Sequence, residues 1–110
     1  MTIRDIVEAL DLKVLAGDSQ LDQEVQGGYV ADLLSCVMAG AQPGQLWFTL
    51  QTHLNIVAVA SLTSVAGIVV AEHAPVSSET VARAKEEGVV LLASSDPTFE
   101  TIAKLVKLGL

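Results

Sequence analysis

Polar and titratable side chains follow the apolar runs of the second half of the sequence in three short segments, at residues 51–55, 72–73 and 94–96. Hydroxyl, amide and imidazole groups can donate hydrogen bonds to a phosphate or carboxylate, and a carboxylate can accept them from a ribose or an amine. We predict Glu72 as the acceptor for such a ribose or amine. The full set of candidate ligand-binding residues is Gln51, Thr52, His53, Asn55, Glu72, His73, Ser94, Ser95 and Asp96.

Two alternative interpretations of these segments remain open. Each residue taken alone can be a turn or helix-capping residue, with His53 and His73 in solvent. Alternatively, His53 with Glu72 or Asp96 could form an acid–base pair in a small enzyme, although the spacing supplies no nucleophile or metal for such a pair. The cluster as a whole favours a ligand site, because the remainder of this half is apolar or ordinarily helical.

Known catalytic and metal-binding signatures are missing from the sequence. It contains no phosphate loop of the G-x-x-x-x-G-K-[ST] type, no G-x-G-x-x-G after a strand, no G-x-S-x-G elbow and no H-E-x-x-H. One cysteine and two distant histidines provide no metal-ligand spacing, so we predict no metal and no cofactor. We expect Cys36 to be a small buried apolar residue.

The elements that must position the candidate residues follow from the apolar pattern after residue 46. Continuous apolar runs predict strands at 46–50, 67–71 and 89–93, and each run is followed by a helical pattern, at 55–65, 77–88 and 97–109. Three consecutive strand–helix units with uninterrupted apolar strands are typical of a mainly parallel sheet with helices on both faces, hence an α/β fold. Ser77, Ser78 and either Ser95 or Asp96 stand at the predicted N-caps.

The first 40 residues predict a more irregular start to the same domain. Residues 3–10 form an amphipathic helical pattern, with Thr2 as N-cap and Asp5 completing a capping box. Short strands are predicted at 12–17 and 23–28, and a helix at 29–40. With 110 residues and no linker, the chain is expected to form a single α/β domain.

The predicted topology places the candidate residues together. Ligands bind beyond the carboxyl ends of parallel strands, where the following helices present unpaired N–H groups that can receive an anion. Because the helix N-terminus after His53 carries partial positive charge, an anion bound there would favour protonated His53. We therefore expect affinity to rise as the pH falls.

Charge and hydropathy exclude two partner classes. The net charge is −7, and the basic residues stand singly among acidic ones, so no cationic stripe is available for nucleic acid. Polar residues interrupt every apolar run well short of the ~20 residues that a membrane span needs. The acidic N-terminal segment resembles no signal or transit peptide, which predicts a cytoplasmic protein.

The helical pattern at 55–65 has apolar residues on every side. A helix that is apolar all round must be buried all round. In so small a domain, one side can lie on the sheet and the other is expected to contact a second copy of the chain. We therefore predict a homodimer.

The order strand, polar turn, Ala-rich helix, "AGIVV", turn with Pro, helix, "GVVLLASS" and "FETIAKL" resembles the DRTGG domain, from "GGYVADLLSCVM" onward. This resemblance implies an α/β module similar to the N-terminal domain of HPr kinase/phosphorylase and to domains of phosphotransacetylases and CBS-containing pyrophosphatases. The family's Asp-Arg falls near Thr52 and His53, and its Thr-Gly-Gly near Ala71, Glu72 and His73, so the signature residues themselves differ here. No kinase activity is implied, because the phosphate loop of HPr kinase belongs to another domain.

These observations support one preferred function and one alternative. The preferred function is a non-catalytic regulatory or ligand-sensing module that binds a small anionic or nucleotide-like metabolite, or a partner protein. The alternative is a small enzyme that uses His53 or His73 with a neighbouring carboxylate.

Overall fold

A five-stranded sheet lies between two layers of helices in the computed structural model, which describes residues 1–110. The strands are β1 (Lys13–Ala16), β2 (Gly27–Val30), β3 (Gln45–Thr49), β4 (Gly67–Val70) and β5 (Leu91–Ala93). The helices are α1 (Ile3–Leu10), α2 (Leu34–Gly40), α3 (Asn55–Thr63), α4 (Ser78–Glu87) and α5 (Thr98–Lys107), with a short 3₁₀ turn at Asp18–Gln20.

The sheet has the strand order β1-β5-β4-β3-β2. Strands β2, β3, β4 and β5 are parallel to one another, and β1 runs antiparallel to β5. This topology confirms the predicted α/β fold with a mainly parallel sheet and three successive strand–helix units.

Alternate residues of the strands bury two separate apolar cores. On one face, Leu46, Phe48, Val69 and Leu92 pack with residues of α1 and α5. On the other face, Trp47, Ile68, Val70 and Leu91 pack with residues of α2, α3 and α4. Helices therefore cover both faces, which explains why β3, β4 and β5 are continuous apolar runs rather than alternating ones.

The N-terminal helix begins as its sequence predicts. The Thr2 hydroxyl accepts a hydrogen bond from the Asp5 backbone N–H, and the Asp5 carboxylate accepts one from the Thr2 N–H, so the capping box is complete. The hydrogen bond from the Thr2 N–H to the carboxylate lowers the pKa of Asp5. The helix ends at Asp11, whose φ of 52° reverses the chain toward β1.

Two predictions for residues 23–40 are wrong. The strand lies at Gly27–Val30 rather than 23–28, and the helix begins at Leu34 rather than at residue 29. Gly27 and Gly28 carry no side chains that could produce a strand pattern. Tyr29 and Val30 favour strands, but they directly precede a helical pattern, and their parallel pairing with β3 is not evident from the sequence.

The surroundings of α3 and Cys36 also differ from the predictions. Helices α2 and α4 flank α3 in the same layer. They bury apolar side chains of α3 for which the sequence predicts a contact with a second subunit. Of its large apolar side chains, only that of Leu62 is exposed, at 72%. Cys36 is exposed on α2 instead of buried. None of the helices combines the length and the apolar character needed to cross a membrane.

Candidate functional site

The carboxyl ends of β2, β3, β4 and β5 lie along one side of the sheet, which we call the carboxyl edge. Antiparallel pairing brings the start of β1 to the same side, because Lys13 lies opposite Ala93. All nine candidate residues lie at this edge, in the loops that follow β3, β4 and β5 or, for Asn55, at the first position of α3. Their side chains nevertheless differ in what they contact.

The loop after β3 is organised by Asp32, a residue that the sequence prediction missed. Its Oδ1 accepts hydrogen bonds from the Thr49 hydroxyl at 2.9 Å and from the Leu50 N–H at 2.7 Å. Its backbone carbonyl accepts a hydrogen bond from the Gln51 side-chain amide at 3.2 Å. Gln51 is therefore engaged in tying β2 to the loop after β3. Asp32 was missed because the helix predicted for residues 29–40 placed it inside that helix.

His53 forms part of the turn that begins α3. Its Nδ1 accepts a hydrogen bond from the Asn55 N–H at 3.1 Å. The Nδ1 of His53 is therefore engaged within the chain, and the predicted role of His53 at an anion site stays a prediction. The carbonyl of neighbouring Thr52 accepts a hydrogen bond from the Thr80 hydroxyl of α4 at 2.8 Å, which fixes the loop against α4.

Glu72 and His73 form a tight turn after β4 in which both residues have positive φ, 65° and 54°. The Glu72 N–H donates to the Asp96 carbonyl and the His73 N–H to the Ser94 carbonyl, at 2.9 and 3.0 Å. The Glu72 carboxylate accepts a hydrogen bond from the Thr98 N–H at 2.6 Å, at the start of α5. Glu72 thus caps α5, and its predicted role as a ligand acceptor stays a prediction.

Ser94 and Asp96 are also engaged within the protein. The buried Ser94 hydroxyl lies 2.9 Å from the Thr101 hydroxyl and accepts a hydrogen bond from the Asp96 N–H. The Asp96 carboxylate lies 2.6 Å from the Lys104 ammonium, and this contact raises the pKa of Lys104. Neither Ser95 nor Asp96 caps α5 as we predicted, since the N-cap is Pro97, which makes no side-chain capping bond.

A cavity of about 520 Å³ opens at the carboxyl edge beside β1 and β5. Three pieces of chain line it: the residues around the start of β1, the loop between β4 and α4, and the end of β5. The lining residues are Asp11, Lys13, Leu15, His73, Ala74, Pro75, Val76, Ala93, Ser94 and Ser95. The cavity therefore includes His73, Ser94 and Ser95 of the candidate set, and it excludes Gln51, Thr52, His53, Asn55, Glu72 and Asp96.

The polar side chains around this cavity are free of intramolecular partners, with the exception of Ser94. Lys13, Asp11, His73 and Ser95 make no side-chain hydrogen bond or ion pair within the chain, whereas Glu72, Asp96 and Asp32 at the same edge all do. The carboxyl edge thus divides into side chains that hold the loops together and side chains that are available to a ligand. Lys13 and Asp11 were missed by the sequence prediction because they precede the apolar units.

Neither histidine is paired with a carboxylate. No imidazole nitrogen lies within 4.0 Å of an Asp or Glu oxygen, so the acid–base pair of the alternative enzyme is not assembled in this structure. No three His, Cys, Asp or Glu side chains are grouped in a way that could hold a metal ion.

Comparison with known proteins identifies the family of the chain and a solved structure with a similar fold. The family model for the DRTGG domain matches residues 5–108. The crystal structure of the CBS and DRTGG domains of the regulatory region of Clostridium perfringens pyrophosphatase, complexed with the activator diadenosine tetraphosphate, has a similar fold, with a TM-score of 0.76 and 14% sequence identity. The similarity covers 96% of this chain and 46% of that one, so this chain spans just under half of its relative. No curated protein sequence matches the chain. The match over residues 5–108 shows that the chain belongs to the DRTGG domain family.

Proposed function

We propose that this protein is a non-catalytic, ligand-sensing regulatory module that binds a small anionic or nucleotide-like metabolite at its carboxyl edge. The observation that carries this proposal is the cavity beside β1 and β5, where Lys13, His73 and Ser95 lack partners within the chain. Its volume of about 520 Å³ lies within the range of roughly 300–1,000 Å³ that small-molecule sites occupy. The position also agrees with the general rule that open α/β sheets bind ligands beyond their strand ends.

The fold relative supports the same class of function. In the Clostridium perfringens pyrophosphatase, a DRTGG domain forms part of a regulatory region that is complexed with a nucleotide activator. At 14% identity this relationship extends to the fold, so a nucleotide ligand for the present chain is our proposal. We also propose that residues 1–110 form a single domain and that the protein is cytoplasmic.

A regulatory module of this kind can also bind a partner protein or a neighbouring domain. DRTGG domains accompany other domains, as in the pyrophosphatase region, where the similarity covers 46% of the chain. In such an arrangement, the occupied cavity would change the loops of the carboxyl edge, and a neighbouring domain would respond to that change. The similarity to the N-terminal domain of HPr kinase/phosphorylase stays a prediction.

The alternative enzyme has less support than the sensor. A general acid–base function needs an imidazole within hydrogen-bond reach of its carboxylate partner or substrate. His53 uses its Nδ1 to begin α3, and His73 has no carboxylate within 4.0 Å. Transfer of a phosphoryl group would in addition require a phosphate-binding Lys and a Mg²⁺ site, neither of which the sequence motifs supply.

A binding screen beside a turnover assay tests the proposal. The melting temperature of the purified chain is measured with each member of a panel of nucleotides and phosphorylated metabolites. In separate samples of folded protein, chromatography measures whether any member of the same panel is converted. A ligand at 100 times its dissociation constant should stabilise the protein by ~2.7 kcal/mol, which raises the melting temperature by several degrees. Stabilisation without conversion supports the sensor. Conversion that a heat-treated sample lacks supports the enzyme, and no stabilisation by any member of the panel contradicts the ligand-sensing function.

We also propose that two copies of the chain associate through the outer side of α5. Phe99 and Val106 on this helix are 84% and 61% exposed, and half-buried Ile102 lies between them at helical spacing. Burial of a large apolar side chain contributes about 1.5–3 kcal/mol, so leaving this stripe in water is costly. The stripe replaces α3 as the proposed contact surface, because α2 and α4 already flank α3.

A further inference from the structure

The lining of the cavity at the carboxyl edge includes a lysine, Lys13, whose position depends on the direction of β1. Because β1 is antiparallel to β5, its first residue, Lys13, lies opposite Ala93 at the end of β5. Its ammonium has no carboxylate within 4.0 Å, although the chain carries 13 acidic and six basic residues. Exposed His73 reaches the same cavity from the loop after β4, and its backbone is fixed by the hydrogen bond to the Ser94 carbonyl. Both side chains can therefore donate hydrogen bonds to an anion.

Part of the lining of the cavity is apolar. Leu15, Ala74, Pro75, Val76 and Ala93 line it, and we call these residues the apolar wall. Leu15, Ala74 and Val76 also pack against the buried core beneath α3 and α4, which holds the wall in place. A preformed apolar surface of this kind suits a flat ring better than a chain of charged groups.

The lining of the cavity also includes a carboxylate, that of Asp11. Asp11 ends α1 with a φ of 52° and makes no hydrogen bond or ion pair through its side chain. An ionised carboxylate only accepts hydrogen bonds, so it can bind hydroxyl or amino groups and repels further negative charge. Together with the net charge of −7, this residue disfavours polyphosphates relative to a ligand with a single phosphate.

We propose, on the basis of the proposed function, that this cavity binds a nucleoside monophosphate. The phosphate contacts Lys13 and His73, the ribose hydroxyls donate to Asp11, and the base lies on the apolar wall. This assignment specifies both the ligand class and the residues that select it. It places the site on β1 and the loop after β4, away from His53.

Calorimetric titration of the full chain tests the assignment with AMP, adenosine, ribose 5-phosphate and ATP as probes. We expect AMP to bind most tightly, since each fragment lacks one of the contacts and ATP places extra charge near Asp11. Lys13→Met should weaken AMP binding by about tenfold or more, because it removes a charge-assisted hydrogen bond, and should leave adenosine binding unchanged. Lys107→Met is the matched control, since this exposed lysine lies at the far end of α5. Equal melting temperatures of the variants verify that they are folded.

The outcomes separate this assignment from the proposed function. If AMP or another metabolite binds and Lys13→Met leaves its affinity unchanged, the assignment is overturned while the sensor function stands. An equal loss of AMP affinity in Lys13→Met and Lys107→Met would show a general effect of net charge, and it would also overturn the assignment. If ATP binds more tightly than AMP, the single-phosphate selectivity is wrong. If no member of the wider metabolite panel binds the wild-type chain, the proposed function itself fails.

Discussion

Glu72 and His73 adopt a backbone conformation that glycine adopts at little cost, in the region where we expect the Thr-Gly-Gly of the DRTGG signature to fall. Both have positive φ. For other residues, such a conformation costs roughly 1–2 kcal/mol each. The hydrogen bond from the Thr98 N–H to the Glu72 carboxylate offsets part of this cost by capping α5.

Replacing His73 with Gly should stabilise the protein. The substitution removes the strain of a non-glycine residue at φ 54°, and the larger conformational freedom of Gly in the unfolded chain offsets part of the gain. We expect an increase of about 0.5–1 kcal/mol in the free energy of unfolding, measured by urea denaturation. His73→Ala, which keeps the strain, is the control and should show no increase. A loss of stability in His73→Gly would mean that the imidazole makes a stabilising contact.

Replacing His53 with Ala should destabilise α3, because the Asn55 N–H loses its acceptor. The expected loss is about 0.5–1.5 kcal/mol, the net contribution of a typical hydrogen bond. His53→Asp should retain most of the stability, since an Asp at this spacing can accept the same hydrogen bond. Denaturation curves of the three proteins measure the difference. If His53→Ala and His53→Asp are equally destabilising, the proposed role of His53 as the acceptor for the Asn55 N–H is wrong.

The loops of the carboxyl edge are joined to α5 by an ion pair with a defined pH dependence. Asp96 raises the pKa of Lys104 above the ordinary value of 10.5. A raised pKa means that the pair stabilises the fold fully below that value, and that this contribution disappears as the pH rises through the folded-state pKa. We therefore expect Lys104→Met to be less stable than wild type near neutral pH and equally stable at strongly alkaline pH.

Urea denaturation at a series of pH values measures this difference. Lys107→Met provides the control, because Lys107 lies on the same helix and forms no ion pair. Its difference from wild type should stay small and constant over the series. A difference for Lys104→Met that persists unchanged into the alkaline range would show that packing of the lysine stem, and not its charge, stabilises α5.

The sequence predicted most of the elements but only part of the site, for local reasons. Strands β3, β4 and β5 were predicted because each is an uninterrupted apolar run followed by a helical pattern. The shared edge of their loops then followed from parallel topology. Asp32 was missed because Gly27 and Gly28 hide strand β2, and Lys13 because nothing local indicates that β1 pairs antiparallel with β5. Residues far apart in the sequence decide which strands pair in a sheet, so the periodicity of apolar residues does not predict the pairing.

At the level of the assembly, substitutions on two helices distinguish the proposed contact surfaces. We expect a dimeric mass for the wild-type chain at micromolar concentration by light scattering. Phe99→Glu should give a monomer, because it places a charge in the apolar stripe of α5, and Leu62→Glu on α3 should remain a dimer. A dimer that persists in Phe99→Glu and dissociates in Leu62→Glu would return the interface to α3. A monomeric wild-type chain would contradict the homodimer altogether.

The pairing of β1 with β5 joins residues 13–16 to residues 91–93, and α1 packs against α5 in the same way, so the two ends of the chain meet. Such non-local contacts require closure of a long loop before they contribute free energy, and they slow folding relative to local ones. During synthesis, β1 cannot pair with β5 until residues 91–93 have left the ribosome, so the sheet is completed late. The proposed ligand cavity, which needs Lys13 beside Ala93, would accordingly be among the last parts of the molecule to form.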